Sequence, residues 1–174
     1  MDETSPEAVA AAAIPLVKAL ILRTLDGDRT AAARALHALW QLPEIGQYAA
    51  FTTLAESAVL GIPRGLQPGI TWVPRMRLGH PPRQINPDEH PAAAFVLRFI
   101  ASVLNRDDAL RMDLWAAYIR RDPGVEVSAA EIRDVAAAFV LMTELAAAGF
   151  RRETHRRRRT HQHPNARRRD QRRR

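Results

Sequence analysis

The chain has 174 residues, no cysteine and a formal net charge of +7. One domain is the expected count, and the missing thiols exclude disulfides, thiolate catalysis and cysteine-based zinc sites. The charge is unevenly placed: residues 151–174 hold twelve arginines against Glu153 and Asp170, a net of +10, which leaves −3 for residues 1–150. Lys18 is the only lysine, and alanine is abundant. A GC-rich codon bias accounts for such a composition, so an arginine is not by itself a chosen phosphate ligand.

Helical signals begin near the N-terminus. Ser5 before Pro6 reads as an N-cap and first-turn pair, followed by Ala13, Leu16, Val17 and Leu20 at helical spacing. Pro15 is expected to kink or restart this helix, and Asp26-Gly27-Asp28 to end it. A second helix runs from Arg29, with Ala32, Ala35, Leu36, Leu39 and Trp40 on one face. After Pro43, a third repeats the spacing with Phe51, Leu54, Ala55, Ala58 and Val59, and stops at Gly61 and Pro63.

Residues 61–91 change character, with seven of the twelve prolines and four of the eight glycines. Insertions of this length are usually functional or disordered. Ile70, Trp72, Met76 and Leu78 alternate with Thr71, Val73, Arg75 and Arg77, the period of a short extended segment. Pro74 confines that segment to an edge or breaks it.

Helices resume at Pro91. The run from Phe95 to Leu104 is apolar nearly all round, which marks it as the central helix. Asp107 reads as the N-cap of the next, which carries Leu110, Leu114, Trp115, Tyr118 and Ile119 and ends in Arg120 and Arg121. Ser128 and Glu131 form a capping box. The helix behind it places Ile132, Val135, Ala136, Phe139 and Val140 on one face, with Leu141, Met142 and Leu145 spreading apolar surface further. Gly149 is expected to end it. The helix pairs whose second helices carry Trp40 and Trp115 look faintly alike, as any two helical hairpins with polar turns do.

The fold expected is therefore all-α, a bundle of five or six helices over residues 1–150. It carries a Pro/Gly-rich insertion at 61–91 and a disordered arginine-rich tail at 151–174. The acidic start, Asp2, Glu3 and Glu7, is unlike a secretion signal. The apolar stretch Ala8 to Leu22 reads as too short and too alanine-rich to span a bilayer. A cytoplasmic location without membrane contact follows by elimination.

In the tail, Arg156, Arg157, Arg158 and Arg159, then Arg167, Arg168 and Arg169, then Arg172, Arg173 and Arg174 form three clusters. Arginine clusters neutralise phosphates and release counterions, giving salt-sensitive binding to nucleic acid or another polyanion. No aromatic residue interleaves them, so base stacking and sequence specificity are not expected. The chain then reads as a non-enzymatic binding module without cofactor or metal. His161-x-His163, and Asp88-Glu89-His90 with His80, supply ligand atoms but no fixed spacing.

One alternative is a small enzyme or ligand-binding protein with a site under the insertion, using Trp72, Arg75, Arg77 and His80. Another is a subunit of a larger complex or a homo-oligomer, joined through the 131–149 helix. No nucleophile elbow, Walker loop or dinucleotide fingerprint occurs. A helix-turn-helix around Pro43 is disfavoured, because Glu44, Gln47, Thr52, Thr53 and Glu56 give its second helix no positive charge.

Overall fold

The computed structural model describes residues 5–62, 86, 88–118 and 128–162, the last three by backbone alone. These form six helices: α1 (Pro6–Asp26), α2 (Arg29–Trp40), α3 (Glu44–Ala58), α4 (Pro91–Asn105), α5 (Asp108–Tyr118) and α6 (Ala129–Gln162). No strand occurs among the described residues. The all-α bundle expected from periodicity is the architecture observed. The expected extended segment around Ile70 to Leu78, and Ile119 to Arg121, lie outside the described residues.

The caps carry much of the local order. The Ala8 N–H donates to Ser5 Oγ at 3.1 Å, opening α1. The α1–α2 and α4–α5 turns are built alike. Gly27 (φ 75°) and Arg106 (φ 56°) are left-handed caps. The next residue's amide reaches back five residues in each turn, Asp28 to the Arg23 carbonyl and Asp107 to the Ser102 carbonyl. Each aspartate then caps the following helix, accepting from Ala31 N–H at 2.9 Å and Leu110 N–H at 2.9 Å. The likeness between the two hairpins is thus a shared turn chemistry. At α6 the capping box is complete: Ser128 N–H donates to Glu131 Oε2 at 2.8 Å, and Glu131 N–H to Ser128 Oγ at 3.2 Å.

Pro15 neither restarts nor ends α1, which runs 21 residues. It lies on the exposed face, where water can satisfy the carbonyl that loses its donor. By length and composition α1 could cross a bilayer, with a mean hydropathy of 1.8 over an 18-residue window. That corrects the sequence expectation, which counted only Ala8 to Leu22. In this fold Ala13, Val17, Leu20 and Ile21 are buried in the bundle. Ile14 and Leu22 remain 56% and 48% exposed on the other side.

The hub of the bundle is α3, not α4. α3 packs on α1, α2, α4 and α6. Its Phe51 ring meets Phe95 at 5.3 Å, Phe99 at 4.9 Å, Trp115 at 5.8 Å and Phe139 at 4.9 Å, drawing α4, α5 and α6 together. α4 buries Phe95, Val96, Phe99 and Ile100 but leaves Arg98 exposed, so it works as a one-sided helix. What makes α3 central is its small residues: Gly46, Ala50, Ala55 and Ala58 are all buried and let neighbours approach.

α6 departs most from expectation. Its buried stripe is Val135, Ala138, Phe139, Met142, Ala146 and Ala147. Ile132 and Val140 stand outside that stripe, so the expected face is rotated. Met142 is fully buried, and Leu141 and Leu145 pack against the core. Gly149 does not end the helix, because its φ is not left-handed. Instead it marks a close crossing: a Cβ there would sit 2.0 Å from the Ser57 carbonyl oxygen of α3. The helix continues to Gln162, so residues 151–162 of the expected disordered tail are helical, and 163–174 lie outside the described residues. Arginine and glutamate are good helix formers, and basic residues suit a helix C-terminus.

Gly149→Ala is accordingly expected to destabilise the fold by about 3 kcal/mol, since the methyl meets a backbone atom and forces α3 and α6 apart. Gly27→Ala meets no atom within 4 Å and carries only the cost of its positive φ. Urea unfolding of the two variants checks the order.

Candidate nucleic-acid interface

Two helix ends set the position of the arginine segment. α1 and α3 finish at the same end of the bundle, where α6 passes them. Arg152 Nη2 donates to the Ala58 carbonyl at the end of α3, and a Cβ added at Gly61, whose φ is 77°, would lie 3.4 Å from the Arg152 Cβ. Arg151 lines a groove with Thr24 and Gly27 at the end of α1. The Arg152 guanidinium therefore sits at a carbonyl-rich, partially negative helix terminus, and Arg151 borders the groove at the end of α1. Arg152 is a structural cap as well as a charge.

Beyond Arg152 the helix leaves the core. Arg156, Arg157, Arg158 and Arg159 are exposed, as is His155. Glu153 is the acid within this stretch. Arg157 Nε donates to its Oε1 at 2.8 Å, and Arg156 Nε approaches Oε2 at 3.3 Å. A glutamate one turn before its arginines is the favourable order on a helix. The Arg157 hydrogen bond, and then the Arg156 charge, hold the Glu153 carboxyl below its ordinary range. Its contribution is present above the usual glutamate pKa and fades as pH falls through the lowered one. Arg158 and Arg159 have no acidic partner among the described residues. The segment is a helix polar on every side, able to present guanidinium groups without first being ordered.

The other expected site residues are distributed differently. Arg167, Arg168, Arg169, Arg172, Arg173 and Arg174 lie outside the described residues, as do Trp72, Arg75, Arg77, His80 and His163. Asp88 is exposed in a turn: its N–H donates to Asn86 Oδ1 at 3.1 Å, and Asn86 Nδ2 donates to Glu89 Oε1 at 3.0 Å. It does not cap α4, whose N-cap is His90 without a side-chain bond. Gln47, a position tested for base reading, spends its amide on the end of α2, donating to the Trp40 and Leu42 carbonyls at 3.0 and 2.9 Å. A groove-reading role for α3 is further weakened by its place at the centre of the bundle.

Sequence reading missed a second feature. Thr52 Oγ1, Arg111 Nε, Trp115 Nε1 and Tyr118 Oη are buried without a hydrogen-bond partner among the described residues. Arg111, Trp115 and Tyr118 share one face of α5 by their spacing. Arg111 Nη2 pairs with Asp108. The Tyr118 ring stacks on Phe95 at 4.1 Å. Burial, and then the Asp134 charge, push the Tyr118 phenol up to about 12. The apolar-face reading counted Trp115 and Tyr118 but passed over Arg111, one turn before Trp115 on the same face.

Fold and site together define a class: a helical bundle whose last helix projects as an arginine-rich rod. The chain matches no family model, no curated protein and no solved structure.

Two outcomes check this geometry. Arg152→Gln is expected to cost about 1 kcal/mol through the lost charged cap, while Arg158→Gln leaves the urea midpoint unchanged. The folded state also holds the Tyr118 proton more tightly than the unfolded chain. Stability attributable to this group is therefore intact below pH 10 and falls as pH rises from about 10 toward 12. Tyr118→Phe is expected to flatten that alkaline decline in thermal unfolding followed by circular dichroism.

Proposed function

We propose that this chain is a non-enzymatic helical binding module that holds nucleic acid, or another polyanion, through the arginine extension of α6, without reading sequence. The observation that carries the reading is the exposure of Arg156, Arg157, Arg158 and Arg159 on a helix already formed and rooted in the bundle. Four adjacent guanidinium groups repel one another, and a row of phosphates relieves that repulsion while releasing counterions. Arginine also offers planar, bidentate donors to phosphate oxygens. The described part of the extension carries no aromatic residue after Phe150, so stacking on single bases does not contribute.

The structure determines how this is best tested. Cutting the chain at residue 150 would also remove the Arg152 bond to Ala58, confusing lost binding with a loosened α3. Substitution of Arg156, Arg157, Arg158 and Arg159 by Gln in the full chain keeps the root. Fluorescence anisotropy with a labelled DNA duplex across a salt series is expected to show steep inverse salt dependence for the natural chain. The substituted chain should lose about 3–4 from the slope of log K against log salt. Equal affinity and slope for the two proteins would remove this helix from the contact.

A further inference from the structure

The arginines of α6 are not alone at their end of the bundle. α2 contains no acidic residue, although residues 1–150 are net acidic. Its outward side carries Arg29, Arg34 and His37, all exposed, around a shallow depression of about 530 Å³ floored by Thr30 and Ala33. A deeper groove of about 650 Å³ adjoins it, sharing Arg29 and Ala33 and reaching Arg151 on α6. Positive side chains therefore run from α2, across that groove, to the root of the arginine helix. The small floor residues allow a bulky chain to lie close to the helix axis between Arg29 and Arg34.

We propose that this α2 face is a second phosphate seat, and that it and the α6 extension together hold the backbone of a double-stranded nucleic acid. The inference rests on the polyanion reading above and adds residues to it. A duplex fits better than a single strand because the face offers phosphate donors and no stacking ring. Arg29 also stands at the first turn of α2, where the helix end favours an anion. Two acids oppose the fit. Asp28 is engaged in capping α2 through Ala31. Glu144 lines the groove and has no basic partner among the described residues, so it repels a phosphate lying there.

The test uses the full chain, a labelled DNA duplex of about 20 base pairs, and the single strand of the same length. Arg29→Gln with Arg34→Gln is expected to lower the salt slope by about 2 and weaken duplex binding about ten-fold near 0.1 M salt. Glu144→Gln, also at an exposed position, should change affinity in the opposite direction, strengthening it about two- to three-fold. Unchanged urea midpoints establish that folding is not responsible. If both variants bind as the natural chain does, while the four-glutamine α6 variant is weakened, the second seat is wrong and the α6 reading stands. Tighter binding to the single strand than to the duplex also overturns the proposal. If the natural chain binds neither probe, both readings fall together.

Discussion

The contact on which the rest of the structure depends is the crossing of α6 over the end of α3 at Gly149 and Ser57. No side chain fits there, because a single added carbon would lie 2.0 Å from a carbonyl oxygen. The closeness brings the small residues Ala146 and Ala147 of α6 into the core and sets Arg152 against the last carbonyls of α3. Farther down the same pair of helices, the Phe139 ring is 4.9 Å from Phe51. Phe51 in turn gathers the rings of α4 and α5. Displacing α6 by even an ångström would open that cluster, since packed interiors tolerate little change in volume.

The crossing also turns a run of arginines into an oriented element. Helix C-termini favour cations, and two lie at the root of the extension, those of α1 and α3. The bundle offers its negative helix ends to Arg151 and Arg152 and leaves the later arginines to solvent. The structural role of Arg152 and the binding role proposed for Arg156 to Arg159 thus fall a few residues apart on one helix. Treating every arginine after 150 as equivalent would miss this division.

Much of this was legible in the sequence where the signal is local. Ser5, Asp107 and the Ser128–Glu131 pair cap the helices they were assigned, because a capping side chain needs only its own turn. The α3 face of Phe51, Leu54, Ala55, Ala58 and Val59 is buried as its spacing implies. The misreadings share one cause. Gly149 looked like a terminator because glycine ends helices more often than it crosses them, and nothing nearby in sequence announces a carbonyl from α3. α4 looked central because it is rich in large apolar side chains, whereas centrality came from the small residues of α3. The face of α6 was rotated because Ala138 and Ala146 weigh little in an apolar-face reading yet are fully buried. The candidate interface was half legible: the arginine clusters are obvious in sequence, but their helical presentation and the neighbouring basic face of α2 depend on tertiary packing.

The central claim is that the arginines after the crossing stand on a formed helix and meet a polyanion there. Backbone carbon chemical shifts of the full chain, recorded from Ala147 to Arg159 before and during titration with a DNA duplex, test it most directly. The account predicts helical shifts through Arg159 in the free protein, with the largest changes at Arg156 to Arg159 as duplex is added. Random-coil shifts from Phe150 onward, or changes that bypass these four residues, would contradict it.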